Sequence, residues 1–367
     1  MNHTSAPIGL PVTELDTPAL LVDLDVMEAN IARIASVCRR HGVGWRPHLK
    51  GHKTIEIARK ELAAGAIGVT CAKLGEAEVM AAAGITNVLI ANQIVGAQKM
   101  RRLMALPADA NPIVAVDSLA GATELADAAA GCGRTQEVVI EVDIGMKRAG
   151  VAPGAPVVAL ARAIGGRAGL RLRGLIGWEA HTVTIADAGE KERAVAAAIG
   201  LLTASAAACR QAGYAIDIVS CGGTGTFPYC AMQPGVTDIQ AGGGIFSDMH
   251  YREHYHADFP CALTLIATVT SRPTATRLVL DAGKKSMSGD AAMPSPIGLP
   301  PVSGLRLSAE HATIELEGPS ERPQVGDRVE FIVGYSDTTV HLHEEIVALR
   351  HGRVEAVWPV VARGRLK

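Results

Sequence analysis

The chain of 367 residues carries 35 basic and 37 acidic side chains, a formal net charge of −2, with 48% apolar and 20% charged residues. Near-neutrality without basic blocks argues against a nucleic-acid or polybasic membrane-surface protein, and the apolar content argues against disorder. No run approaches the roughly 18 consecutive apolar residues that span a bilayer, and the opening MNHTSAPIGLPVTELD lacks the basic and apolar regions of a signal peptide, so a cytoplasmic protein without membrane partners is expected.

In chain order, the run PALLVDLD at 18–25 is β-like but precedes the first strand–helix unit. From about residue 42 to 246, β-like runs at 44–50, 67–72, 88–92, 113–117, 138–143, 172–178, 216–221 and 239–246 alternate with Ala-rich helical patterns at 54–64, 75–83, 122–130, 155–164 and 190–211. Strands alternating with helices imply parallel pairing through crossovers. Eight such units are the number that closes a (β/α)8 TIM barrel, preferred here over an open doubly wound sheet. From about residue 256 the pattern changes to β-runs at 262–270, 277–281, 312–317, 328–333, 345–350 and 353–359, with a tight hairpin turn at 350–353 and proline-rich loops at 294–301 and 319–323. The fold class is therefore α/β: a barrel at 28–255 plus a C-terminal β-domain of 256–367, with which the run at 18–25 could pair, so that 1–27 would join that domain. Seven cysteines scattered singly make a poor disulfide framework or zinc knuckle and read as free thiols.

Two segments carry chemistry. WRPHLKGHK at 45–53 ends the first barrel strand, on the face where barrel enzymes build their sites, so Lys50 can project there and form an imine with a carbonyl; a solvated lysine at a strand end is the alternative. SCGGTGT at 220–226 follows the seventh strand, and Gly222, Gly223, Thr224, Gly225 and Thr226 let backbone N–H groups approach a phosphate. Gly242, Gly243 and Gly244 form a second cluster on the eighth strand. Loops after strands seven and eight are the common barrel phosphate site, although GGTGT alone is also a tight turn. Neither cluster is a P-loop or a dinucleotide fingerprint. A lysine and a phosphate cradle on one barrel face suggest pyridoxal 5'-phosphate.

The segments DTPALLVDLDVMEANI, RPHLKGHK, GVTCAKLGEAEVMAAAGI, IEVDIGMKRAGV, SCGGTGT, IQAGGGIF, LVLDAGKKSM and VEAVWPVVARG occur in the order seen in the D-threonine aldolase and D-serine dehydratase family, which the chain resembles from Asp16 onward. These are fold-type III pyridoxal-phosphate enzymes similar to alanine racemase. The resemblance implies that Lys50 holds the cofactor as an imine, with His48 and Arg148 beside it and with Gly222, Gly223, Thr224, Gly225, Thr226, Gly242 and Gly243 matching the phosphate-binding segments. It also implies that 18–25 belongs with the β-domain and that the enzyme is a homodimer. The family's metal pair is His-x-Asp or His-x-Cys; here Tyr335 stands at the histidine position and Asp337 matches the second ligand. His341 and His343, two apart, would face one side of a strand, and with Asp337 could hold Mn²⁺, Zn²⁺ or Mg²⁺; a polar strand end is the alternative. Glu179 and His181, ending the sixth strand, are candidates for an acid–base pair or for substrate binding, His181 being the candidate base; a buried structural histidine is the alternative. Asp248, His250, His254, His256, Glu310 and His311 are read as lining a cleft.

The resulting expectation is a lyase cleaving small β-hydroxy D-amino acids to glycine and an aldehyde, with Asp337 resembling the aldolase form of the metal pair. The alternatives are a D-serine or 3-hydroxyaspartate dehydratase, a racemase, a non-catalytic pyridoxal-phosphate-binding protein, and a metal-dependent sugar or phosphate enzyme on a plain barrel.

Overall fold

The computed structural model describes residues 7–367. Two compact units make up the chain: the described residues up to Ile31 with Gly243–Arg363, and Ala32–Gly242 with Gly364–Lys367.

In the second unit, eight parallel strands follow one another: Gly44–Trp45, Val69–Cys71, Val88–Gln93, Ile113–Val116, Gln136–Glu141, Leu170–Ile176, Ile218–Cys221 and Asp238–Ile239. From the second strand onward each pairs with its successor, and the eighth pairs with the first through Gly44↔Asp238 and Trp45↔Ile239. Ile67 N donates to Trp45 O and Thr70 N to Pro47 O, both at 2.8 Å, and His48 bridges Thr70 in parallel. These bonds join the first strand to the second and close the barrel. Strands covered on both faces read as mainly apolar runs, and Ile113–Val116 and Ile218–Cys221 are buried at every position, Ser220 included. Leu89, Ile113, Ala115, Val139, Ile176 and Ile218 pack together as the barrel's interior cluster.

The helices of the strand–helix units are those expected, within a few residues, plus Ala97–Met104, the short Phe227–Ala231 and the first helix, Leu24–His41. Side-chain caps start two of them: Ser118 Oγ accepts from Gly121 N, and Asp187 from Glu190 N. Ala188–Gln211 is long and apolar enough to cross a membrane by length and composition, but Val195, Ala198, Ile199, Leu202, Ala206 and Cys209 are buried within the protein. Two expected strands are much shorter than read. The first stops at Trp45, because Pro47 has no N–H for the ladder, and Leu49–Gly51 forms a 3-10 turn. The last stops at Ile239, before the glycines that weaken a strand interior.

In the first unit, Ala19–Asp23 lies between Leu263–Ser271, antiparallel, and Glu345–Arg350, parallel, so the run at 18–25 does pair with C-terminal strands. The nine-stranded sheet also contains Arg277–Leu280, Ser295–Ile297, Val302–Leu307, Ala312–Leu316, Arg328–Ile332 and Arg353–Pro359. Alternating burial along Ala312–Leu316 gives the sheet one core face. Leu15, Leu21, Ile266, Val347 and Val354 form a core cluster of this unit, around Ala19–Asp23 and its two neighbours. The hairpin turn has φ of 49° at His351 and 72° at Gly352, the pair of positive values of a type I′ turn. Ser295–Ile297 and Val302–Leu307 are strands where the sequence suggested proline-rich loop or no element.

The unit boundaries differ from the expected 27/28 and 255/256. Asn30 donates to the carbonyls of Ile245 and Pro260, and Met249 N and His250 N donate to Val333 O and Gly334 O, so residues 243–255 go with the β-unit. Gly75 N and Arg102 donate to Lys367 O, which draws the last four residues to the barrel.

Candidate active site

The 48–54 segment that carries Lys50 is held by its own histidines. His48 Nδ1 accepts from Lys50 N at 3.3 Å, and His52 Nδ1 accepts from Thr54 N at 3.1 Å. His52 Nε2 lies 3.4 Å from Glu61 Oε2, both buried, and burial holds the Glu61 carboxyl above its usual range against the opposing pull of His52. Lys53 is paired in the interior with Glu76, whose other oxygen takes Ala72 N and Lys73 N. Lys50 is the half-buried amine of the pair, with Nζ 5.8 Å from the centre of the Trp178 ring. Beneath the segment, a Cβ on Gly242 would stand 2.2 Å from His48 O, so this glycine permits the close approach of two backbones.

Trp178 gathers the rest. Arg148 Cζ lies 5.4 Å from the ring centre, so the two cations expected beside the cofactor share one aromatic side chain. Arg148 is half exposed, with Nη2 3.8 Å from Glu141 Oε1; burial raises the Glu141 carboxyl, opposed by its bond from Gln93 and by Arg148. A Cβ on Gly223 would stand 2.9 Å from Trp178 Nε1, and that buried N–H has no acceptor.

Glu179 has a role that the sequence did not disclose. Fully buried, it accepts from Gly222 N at 3.4 Å, Gly223 N at 3.3 Å and the Thr226 hydroxyl. Thr226 N also turns inward, to Gly223 O. The expectation that all five residues of the loop face an anion is therefore corrected: Gly222, Gly223 and Thr226 brace the loop on Glu179, and the tip, Thr224 and Gly225, is the part that can face one. Glu179, Cys221 and Cys230 bring three ligand atoms within 4.8 Å of one another, the one such group among the described residues. Burial holds the Cys230 thiol well above its usual range, and the carboxylate already accepts three hydrogen bonds, so the cluster is a hydrogen-bonded core.

His181, in the 3-10 turn Ala180–Thr182, is exposed and seated on Gly145, where a Cβ would lie 2.5 Å from its Cε1. Gly145 has a φ of 126°. Asp143 Oδ1 organises this loop by accepting from Lys147 N and Gly145 N, and those bonds lower its pKa.

The Asp337 region departs from the expectation. Residues Ser336–Val340 form a short helix with His341 as its C-cap, so His341 and His343 do not share a strand face. His343 Nε2 is 2.6 Å from Ser286 O; a carbonyl only accepts, so that nitrogen carries a proton. Tyr335 donates its hydroxyl to Asp337 Oδ2 at 2.9 Å. Asp248, expected in a cleft lining, caps Met249–Glu253 through Tyr251 N and accepts from Ser336 N; Glu310 pairs with Lys285 at the surface. In the expected metal set Asp337, His343 and Tyr335, every side chain already makes a hydrogen bond, Tyr335 to Asp337 and His343 to Ser286 O, and with a phenol on the carboxylate the set does not fit a divalent ion.

Sequence reasoning also missed the buried pairs His52–Glu61, Lys53–Glu76 and Arg46–Asp238. The acidic partners sit on separate elements, and nothing local marks a carboxylate as turned inward.

An amine at the end of the first strand of a closed barrel, a glycine loop after the seventh strand, and an unsatisfied N–H beside that loop fit pyridoxal phosphate, and with the fold they define a fold-type III enzyme. Residues 22–249 match the family described as alanine racemase, N-terminal domain, to which the chain belongs, and residues 262–349 match the putative serine dehydratase domain. The chain is 34% identical over 360 residues to D-threonine aldolase of Arthrobacter sp, covering 97% of this chain and 95% of that one. It is 30% identical over 367 residues to 3-hydroxy-D-aspartate aldolase of Paracoccus denitrificans (strain Pd 1222), covering 97% and 94%. The crystal structure of D-threonine aldolase from Filomicrobium marinum superposes with a TM-score of 0.94 at 36% identity, covering 99% of this chain and 100% of that one.

Proposed function

We propose that the protein cleaves small β-hydroxy D-amino acids, D-threonine among them, to glycine and an aldehyde. The observation that carries this reading is the convergence of Lys50, Arg148 and the 222–226 loop on Trp178. The choice of retro-aldol cleavage rests on the two aldolase relatives. Bound pyridoxal phosphate supplies an electron sink at the substrate α-carbon. Lys50 supplies the amine that holds the cofactor's carbonyl carbon, Arg148 a cation on the same ring, and Trp178 an apolar wall that excludes water. His181 accepts the β-hydroxyl proton, which lets the Cα–Cβ bond break.

No step is assigned to a metal, because the donor set at Asp337 does not fit one; we propose that the reaction proceeds without it. A homodimer is carried by the resemblance alone, and light scattering of the purified protein tests it. Elimination is the second reading, favoured by the match of residues 262–349 to a serine dehydratase domain. The deciding experiment supplies the reconstituted enzyme with D-threonine, D-serine and 3-hydroxy-D-aspartate. Glycine with an aldehyde supports the proposal; ammonia with a 2-oxo acid overturns it. Lys50→Ala should lose both turnover and the absorbance of bound cofactor.

A further inference from the structure

Among the described residues, Trp178 carries the one buried indole N–H that lacks an acceptor: Trp45 Nε1 donates to Ala241 O at 2.8 Å, whereas Trp178 Nε1 has none. An indole nitrogen only donates, and native structures seldom leave such a donor buried and unpaired, so an unfilled one marks where a ligand atom belongs. Its direction is set by Gly223: a Cβ there would meet Nε1 at 2.9 Å, Cε2 at 3.6 Å and Cδ1 at 3.8 Å. The nitrogen edge of the ring therefore lies against the residue that precedes the loop tip, Thr224 and Gly225. The position is rigid on both sides. Trp178 follows directly on the barrel strand Leu170–Ile176 and Gly177, while its neighbour Glu179 grips Gly222, Gly223 and Thr226. Lys50 and Arg148 stand at the ring and favour negative charge beside it, against the buried Glu179 carboxylate behind Gly222 and Gly223.

We infer that Trp178 Nε1–H is a phosphate ligand, donating to the cofactor's phosphate at the Thr224–Gly225 tip, and that position 223 is glycine so that the indole edge can reach it. This rests on the pyridoxal-phosphate reading above and adds a residue to it. The alternatives, an indole that only walls the pocket or one that faces the pyridine ring, predict no dependence on the phosphate group.

The test separates these. Trp178→Phe keeps an aromatic ring beside Lys50 and Arg148 and removes the N–H together with part of the bicycle; a cofactor lacking the phosphate controls for the lost volume. Apoenzyme of both forms is titrated with pyridoxal phosphate and with pyridoxal, which lacks the phosphate, following the absorbance of the bound cofactor. The inference expects affinity for pyridoxal phosphate to fall by about 10–100-fold, as for loss of a hydrogen bond to a charged group, with pyridoxal affinity changed by less than about twofold. Equal losses for both compounds, or none for either, overturn it. Wild-type protein that binds neither compound through Lys50 would instead remove the cofactor reading itself. Because Trp178→Phe could fold poorly, a second measurement uses wild-type protein. The chain has three tryptophans, so its ¹⁵N-indole spectrum has three N–H signals, and the one that persists in both Trp45→Phe and Trp358→Phe is Trp178. That signal should move downfield with pyridoxal phosphate or inorganic phosphate and stay in place with pyridoxal; no movement with either phosphate overturns the inference.

Discussion

The hydroxyl of Thr226 donates to Oε1 of Glu179, and this bond ties the far end of a glycine loop to the residue that follows Trp178. Removing the carboxylate strands two backbone N–H groups in the interior and leaves that hydroxyl only Gly223 O, at 3.3 Å. Glu179→Ala is expected to cost about 2–4 kcal/mol of unfolding free energy, measured by denaturant titration, and to weaken cofactor binding. Glu179→Gln, which keeps one carbonyl oxygen for Thr226, should cost less than half as much. Equal stability of all three forms would show that the loop does not depend on Glu179.

Gly145→Ala tests the seat of His181. Its φ of 126° is unfavourable to alanine, and the new methyl would press on the imidazole. If His181 takes the β-hydroxyl proton, misplacing it lowers kcat by roughly 10- to 100-fold. The double variant with His181→Ala should then fall little further than His181→Ala alone, because the two changes act on one group. Additive losses would place the effect of Gly145 elsewhere.

Asp248 makes stability depend on pH. Burial lifts its carboxyl from 3.8 to about 7, against the bonds from Tyr251 N and Ser336 N. Because the folded value lies above the unfolded one, the native state binds the extra proton between about pH 4 and 7, and stability falls as pH rises through that window. Asp248→Asn should flatten this part of the curve of unfolding free energy against pH. It should also cost about 1–3 kcal/mol below pH 4, since an amide cannot accept from both Tyr251 N and Ser336 N. Parallel curves for wild type and Asp248→Asn from pH 4 to 7 would contradict the assignment.

Turnover should survive dialysis against a chelator, with less than 0.1 metal ion per chain, roughly, by emission spectrometry. The reason is the phenol that Tyr335 places on Asp337. Tyr335→His removes that donor and sets an imidazole two residues from the carboxylate, and this variant, unlike its parent, is expected to gain Mn²⁺ affinity. Stoichiometric metal in the parent, or activity lost to chelator and restored by Mn²⁺, would refute the metal-free reading.

Much of the site could be read from the sequence because its signals are local. Lys50 follows a short strand within a dense polar cluster, and the glycines at 222–225 need neighbours no more than a few residues away to be recognised as a loop. The alternation of strand and helix patterns, with the pure β-runs that follow, likewise determined a barrel and a β-domain, because each element's period is written in its own residues. What only the tertiary structure decided is which polar groups use up one another. Glu179 and Gly223, 44 residues apart, or His343 and Ser286, 57 apart, meet through backbone paths that no pattern along the chain encodes. A buried hydrogen bond commits both its partners, so the same residue types that spelled a phosphate cradle and a metal site became a braced loop, with one unsatisfied indole beside it, and a carboxylate held by a phenol.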